Sequence, residues 1–342
     1  MTYKTAIIFG AGAFGTSIAS VLSENFEQVI VKVRSQDIYD SIKSGENAVY
    51  LPGQKLAKNI VPALTWDEVD LLVENKQIEL LVNGLPTSAI CPFYSENKQR
   101  FLKYFESNIP FVSLSKGIDP ETLELPDDLF NHYFSDHHDK LTYLSGPSFA
   151  KEILDKQVTI VSLAGKSPDV LLSVSSMLQT NYFKAFPTYD VKGVLLGGAL
   201  KNILAIAGGI LEGMGYNHNT RAAMITRGIT EMLRFGKVYN ARPETFYSFA
   251  GMGDLILTTT SNLSRNKTFG LEIAKGRKPL EIIESQRSVV EGYKTTKAAH
   301  KLASKYHIRT SLFDGIYQIL YNDIAPEDVI KKLMEQPVST ID

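Results

Sequence analysis

Lys201 sits in the stretch GVLLGGALKNILAIAGGILEGMG, residues 193–215. On a helix, Gly197, Gly198, Ala205 and Gly208 share its face. Valine, leucine and isoleucine fill much of the remaining surface. A lysine on such a stripe of small residues is costly to bury unless paired. Desolvation also suits buried lysines to proton transfer. The competing reading is a lysine whose stem lies on apolar surface while its ammonium reaches water. Partners for it lie in AGMGDLILTTTSNLSRNKTFG (250–270), which gathers Asp254, hydroxyls at Thr258 and Ser264, and then Arg265 and Asn266. Asp254 reads either as a helix cap after Gly253 or as the carboxylate that orients Lys201 and bonds a substrate hydroxyl. Arg265 has the fork that matches a phosphate, or is a solvated charge. Glu291, in SVVEGYKTT (288–296), reads as a first-turn helix residue.

A second group lies near the start of the chain. KTAIIFGAGAFGTSIA places Gly10, Gly12 and Gly15 in the spacing G-x-G-x-x-G. An apolar run, Ala6–Phe9, precedes them, and helix-spaced Ile18, Val21 and Leu22 follow. Strand, glycine turn and helix start are what a dinucleotide pyrophosphate needs: a tight turn, close backbone approach, and N–H groups facing the anion. At the end of the next strand, VKVRSQD, Arg34 stands where an NAD-binding unit carries an acid, with Asp37 three places on. A guanidinium there favours the 2′-phosphate of NADP, whereas a solvated Arg34 leaves NAD in use. Lys116 leaves the strand VSLS at its carboxyl edge, where open α/β sheets bind ligands. In LSGPSFAKEI (144–153), Pro147 suits a first helical position, which would leave the N–H groups of Ser148, Phe149 and Ala150 for an anion or amide oxygen. Asn83-Gly84-Leu85-Pro86 ends another strand and reads either as a segment passing close to the cofactor or, more simply, as a glycine–proline turn.

The elements that must position these groups change character along the chain. VIVKV (29–33), IELLVNG (78–84), PFVSLS (110–115), LTYLSG (141–146), VTIVSL (158–163) and YFKAF (182–186) read as strands between helical segments. Such alternation predicts an α/β, Rossmann-like, doubly wound and mostly parallel sheet. From about Asp190, helical patterns take over at 191–215, 220–240, 267–275, 279–285, 291–306 and 312–322. The expected organisation is a dinucleotide-binding domain over 1–189 and an all-helical substrate-binding domain over 190–342, with a cleft between them for a substrate.

Composition narrows the function. The 342 residues have a formal net charge of −1 and 21% charged residues, so no bulk field favours nucleic acid or anionic membrane. Cys91 is the single cysteine, which excludes an internal disulfide and a multi-cysteine zinc site and fits a reducing compartment. No metal site is expected. With a strand beginning by Thr5 and no basic-then-apolar leader ahead of it, the expectation is a cytoplasmic protein. The apolar stretch 193–215 carries Lys201, Asn202 and Glu212, and is expected as a buried helix rather than a membrane span.

The order GAGAFGT, NAVYLPG (47–53), SKGID (115–119), LSGPSFAKE, GGALKNILAIAGG, NTRAAMITRG (219–228), GMGDLILT, SRN and VVEGYKTTK resembles NAD(P)-dependent glycerol-3-phosphate dehydrogenase of the bacterial type, over nearly the whole chain. The resemblance implies reversible, NAD(P)H-dependent reduction of dihydroxyacetone phosphate to sn-glycerol 3-phosphate, feeding glycerophospholipid synthesis; Arg34 points to NADPH as the preferred cofactor, with NAD also in use. It implies Lys201 as general acid, with Lys116, Gly146, Ser148, Asn202, Asp254, Thr258, Ser264, Arg265 and Asn266 around the substrate. Gly10, Gly12, Ala13, Phe14, Gly15, Arg34, Lys116, Ala150, Arg265, Val289 and Glu291 would bind the cofactor, and the resemblance implies a homodimer. The VNGLP stretch departs from the family's more usual valine-rich version. Two other readings remain at this point: a related two-domain hydroxy-acid dehydrogenase, and a non-catalytic NADP-binding sensor. Adjacent Lys201-Asn202 and the later SRN favour the triose phosphate reading.

Overall fold

A computed structural model of the chain describes residues 2–285 and 290–336. These form two compact units: residues up to Lys116 with Pro126–Leu195, and Gly117–Leu125 with the residues from Leu196 onward. The break at 195/196 falls six residues past the expected 189/190, inside a helix, and the short segment 117–125 packs with the second unit.

The first unit is built on strands β1 (Tyr3–Phe9), β2 (Phe26–Lys32), β3 (Ile60–Ala63), β4 (Ile78–Asn83), β5 (Phe111–Ser113), β6 (Leu141–Ser145), β7 (Thr159–Gly165) and β8 (Phe183–Thr188). They form one sheet in the order β3-β2-β1-β4-β5-β6-β7-β8, parallel except where β6 meets β7. β3 was not expected: IVPA is short and carries a proline, yet it pairs with β2 at the sheet edge, where proline is tolerated. Helices α1 (Ala13–Leu22), α2 (Gln36–Lys43), α3 (Asp67–Glu74), α4 (Ile90–Glu106), α5 (Pro126–Phe134), α6 (Ala150–Leu154) and α7 (Pro168–Leu178) connect them.

Alternation along the strands divides the core. Ala6, Ile8, Val29, Val31, Leu80 and Val82 join Ile18, Val21 and Leu22 of α1 in one cluster. Phe9 faces the other way, against Phe93 and Phe101 of α4. Strand order reverses between β1 and β4, so their carboxyl ends diverge into the crevice where doubly wound sheets hold ligands.

The second unit is helical: most of α8 (Val191–Gly213), then α9 (His218–Val238), α10 (Pro243–Phe246), α11 (Asp254–Thr260), α12 (Arg265–Ala274), α13 (Pro279–Glu284), α14 (Glu291–Tyr306), α15 (Ser311–Tyr321) and α16 (Pro326–Met334). α8 is long and apolar enough to span a membrane, but 94% of its most apolar window is buried inside the protein. It is a core helix. Its glycines permit that burial. A Cβ at Gly197 would lie 2.5 Å from the carbonyl of Ala250, and one at Gly209 would lie 2.0 Å from that of Lys267. Other backbone segments therefore cross α8 at distances no side chain allows.

Candidate active site

The close crossing at Gly197 decides where Lys201 ends up. One turn later on α8, Lys201 meets the start of α11, which follows a wide helical turn at Phe249–Gly253. Its Nζ donates to Asp254 Oδ1 and, at 3.1 Å, to Thr258 Oγ1. Thr258 in turn donates to the Asp254 carbonyl one turn back, at 2.6 Å. Lys201 is 7% exposed and Asp254 1%, so the ammonium is neither snorkelling nor solvated. Asp254 opens α11 without capping it: its carboxylate serves the lysine. A buried ion pair survives only with good geometry and satisfied remaining groups, which Thr258 helps supply.

Beside the lysine, Asn202 accepts from Asn266 Nδ2 at 3.0 Å, and Asn266 Oδ1 accepts from the backbone N–H of Gly292 at 3.0 Å. Asn202 Nδ2 points at Glu291 Oε2, 3.5 Å away, at the first turn of α14. Gly292 tolerates nothing larger, because a Cβ would lie 2.7 Å from both Asn202 O and Asn266 Oδ1. Ser264 caps α12, accepting from the N–H of Lys267 at 3.3 Å, and Arg265 follows with its side chain exposed. The second unit thus holds two hydrogen-bonded groups, Lys201–Asp254–Thr258 and Asn202–Asn266–Glu291, brought side by side by the adjacent Lys201 and Asn202 on α8, with Ser264 and Arg265 at the start of α12. Val289 lies outside the described residues.

In the first unit, Gly10 leaves β1 with φ +106°, a value that favours glycine, and Gly12 precedes α1 in an extended conformation. A Cβ at Gly15 would lie 2.4 Å from Gly10 O, whereas one at Gly12 would meet nothing within 4 Å. The turn is closed beneath and bare above, and α1 begins at Ala13 with N–H groups that have no intrahelical acceptor. This cradle fits a dinucleotide pyrophosphate. Ala13 and Phe14 form its first turn. Arg34 lies exposed between β2 and α2.

Sequence reasoning missed what braces this turn. Asn47, fully buried in the NAVYLPG motif, donates to Ala11 O and Thr16 Oγ1, both at 2.8 Å. Asn83 is likewise structural: it donates to Ser113 Oγ at 3.2 Å and Ser115 Oγ at 2.7 Å, and accepts from Tyr94 at 3.1 Å. Its neighbour Gly84 packs against β1, where a Cβ would be 2.8 Å from Gly10 O. The only local signal for either asparagine was a polar residue at the edge of an apolar run.

Lys116 and Gly146 come together as well. Lys116 Nζ lies 3.4 Å from Gly146 O and 5.4 Å from the centre of the Phe14 ring. The expected helix start at Pro147 is corrected. α6 begins at Ala150 and is five residues long, because Gly146 turns at φ +153° and Ser148 Oγ bonds back to Gly146 O at 2.8 Å. Pro147 and Ser148 therefore lie in a turn, not in a helix that could present its N-terminus.

A doubly wound nucleotide unit with a bare glycine turn, and a helical unit that buries a lysine–carboxylate pair, together define the two-domain nicotinamide-dependent dehydrogenases. The family model described as NAD-dependent glycerol-3-phosphate dehydrogenase N-terminus matches residues 5–171, and its C-terminus counterpart matches 190–331. The glycerol-3-phosphate dehydrogenase (NAD(P)+) of Solidesulfovibrio magneticus is 37% identical over 332 residues, 97% of this chain and 98% of its own. That of Leptospira biflexa is 37% identical over 330 residues, 96% and 97% of the two chains. The crystal structure of the Coxiella burnetii glycerol-3-phosphate dehydrogenase superposes with a TM-score of 0.87 at 29% identity, covering 98% of this chain and 99% of that one. The chain belongs to the NAD-dependent glycerol-3-phosphate dehydrogenase family, a family of oxidoreductases.

Proposed function

We propose that the chain catalyses the reversible, NAD(P)H-dependent reduction of dihydroxyacetone phosphate to sn-glycerol 3-phosphate, as a precursor for glycerophospholipids. The observation that carries this reading is the buried Lys201–Asp254–Thr258 arrangement on α8 and α11. Held on the turn of Gly10, Gly12 and Gly15, a dinucleotide would supply the hydride that the ketone carbon accepts. As charge develops on the carbonyl oxygen, the Lys201 ammonium neutralises it and gives up a proton, forming the alcohol; in oxidation the neutral amine takes that proton back. General acid catalysis of this kind contributes about 10²–10⁴-fold. Asp254 balances the ammonium in its buried position and, with Thr258, fixes where its protons point.

Around the substrate we place Lys116, Gly146, Ser148, Asn202, Ser264, Arg265 and Asn266, with Arg265 gripping the phosphate. Holding that remote group fixes the reacting carbonyl. The glycine turn at Gly10, Gly12, Ala13, Phe14 and Gly15 holds the dinucleotide, Arg34 its 2′-phosphate, and Lys116, Ala150, Arg265, Val289 and Glu291 its remaining contacts. In this reading residues 1–189 form the dinucleotide-binding domain and 190–342 the substrate-binding domain, each lending side chains to the other's ligand, and the chain works as a cytoplasmic homodimer without membrane insertion or nucleic acid.

The test is the loss of reduced-nicotinamide absorbance when the purified protein meets dihydroxyacetone phosphate, with NADPH and NADH in parallel. Rapid oxidation is expected, faster with NADPH. No oxidation with either, in protein that binds NADPH, would overturn the reading and point to hydroxy-acid substrates or to a sensor.

A further inference from the structure

Lys267 has no part in the proton chemistry, yet it is among the most deeply buried side chains of the second unit, 1% exposed. A buried ammonium is costly unless each of its three donors is satisfied. Here two hydrogen bonds and an ion pair, from three different parts of the fold, compensate it. Nζ donates to the carbonyl of Thr260, the last residue of α11, at 3.1 Å, and to Oδ1 of Asn262 in the α11–α12 joint at 3.0 Å. It pairs with Glu212 Oε2 of α8 at 2.9 Å. Glu212 is itself held by Arg221 Nη2 of α9 at 2.5 Å. The lysine's backbone is equally confined: its carbonyl lies where a Cβ on Gly209 would be, and a Cβ on Gly270 would sit 2.1 Å from Ile206 O.

This clasp spans the segment that separates the two ends of the substrate site. α11 carries Asp254 and Thr258, which fix Lys201; α12 carries Arg265. Only Ser261–Ser264 joins them. We propose that Lys267 is a positioning residue that fixes the spacing between the Lys201–Asp254 pair and the Arg265 guanidinium, so that gripping the phosphate places the carbonyl at the ammonium. The inference rests on the triose phosphate reading above and deepens it: Lys267 makes the enzyme selective for the phosphorylated substrate without touching that substrate.

The test compares kcat/KM for dihydroxyacetone phosphate and for dihydroxyacetone, which lacks the phosphate, in wild type, Lys267→Met and Lys267→Arg. The preference for the phosphorylated substrate should fall about tenfold or more in Lys267→Met, because remote binding energy no longer positions the carbonyl. Activity on dihydroxyacetone should stay within about twofold of wild type, since only binding through the phosphate is lost. Lys267→Arg, which keeps the charge, should recover part of the preference. Equal losses on both substrates, or no loss on either, would overturn the inference. Should Lys267→Met not fold, Asn262→Ala removes a single exposed contact of the clasp; it should lower the same ratio severalfold, and an unchanged ratio would count against the proposal. Wild type that reduces neither compound would instead contradict the triose phosphate reading itself.

Discussion

Lys201 and Asp254, 53 residues apart in sequence, form an ion pair from which water is almost wholly excluded. Its two halves depend on each other, because either charge left alone in the core would be unpaired. Asp254→Asn should therefore lower stability by about 3–5 kcal/mol, the usual cost of breaking a buried pair. Replacing both, Lys201→Met with Asp254→Leu, should recover most of that stability while activity stays absent. Urea unfolding of the three proteins would check this; a double variant as unstable as Asp254→Asn would contradict it.

The glycine turn makes a contrast between neighbouring positions. Gly15→Ala puts a methyl 2.4 Å from Gly10 O and should destabilise the protein even without ligand. Gly12→Ala meets open space at an ordinary φ of −65°, so the protein should keep its unfolding temperature. What Gly12→Ala should lose is dinucleotide affinity, because the added methyl occupies the cradle. Thermal unfolding paired with NADPH fluorescence titration separates the two effects.

Arg34 should set cofactor preference. Arg34→Gln should reduce kcat/KM for NADPH by roughly tenfold to a hundredfold, the value of one hydrogen bond to a charged group. Values for NADH should change little. Equal losses with both cofactors would assign Arg34 to structure.

Glu231 gives the second unit a pH dependence of its own. The fully buried carboxylate accepts from the N–H groups of Leu312 at 2.9 Å and Phe313 at 3.1 Å, capping α15. Burial raises its pKa above the ordinary carboxyl value, against the lowering effects of those two N–H groups and of Arg227 and Arg234. With the folded value above the unfolded one, the native state binds the extra proton between them. This contribution to stability is complete below the unfolded pKa and is lost as pH rises through the folded one. Glu231→Gln, which keeps one acceptor, should be less stable at every pH, and its deficit should shrink as pH rises from about 4 to 8. Urea midpoints across that range would show it; a deficit that grows with pH would reverse the assignment.

Much of the site was legible because its chemistry depends on local spacing. The glycine turn needs three residues within six, and Lys201 on a stripe of small residues already stands out in an otherwise core-like helix. Asp254 was ambiguous in sequence: a carboxylate after glycine serves equally as a cap, and only the crossing at Gly197 turns it toward the lysine. The antiparallel step from β6 to β7 leaves no trace in hydrophobic periodicity, which is the same in either direction. Lys267 and Asn47 were passed over for a similar reason. Their importance lies in partners brought near by the fold, and in sequence each is an ordinary polar residue within a motif.

The central claim, that Lys201 is the proton donor, is tested most directly by the turnover of dihydroxyacetone phosphate in Lys201→Met, using protein shown to bind NADPH as wild type does. The account predicts that kcat falls by about 10²–10⁴-fold with NADPH affinity unchanged. Turnover within a few-fold of wild type would contradict it.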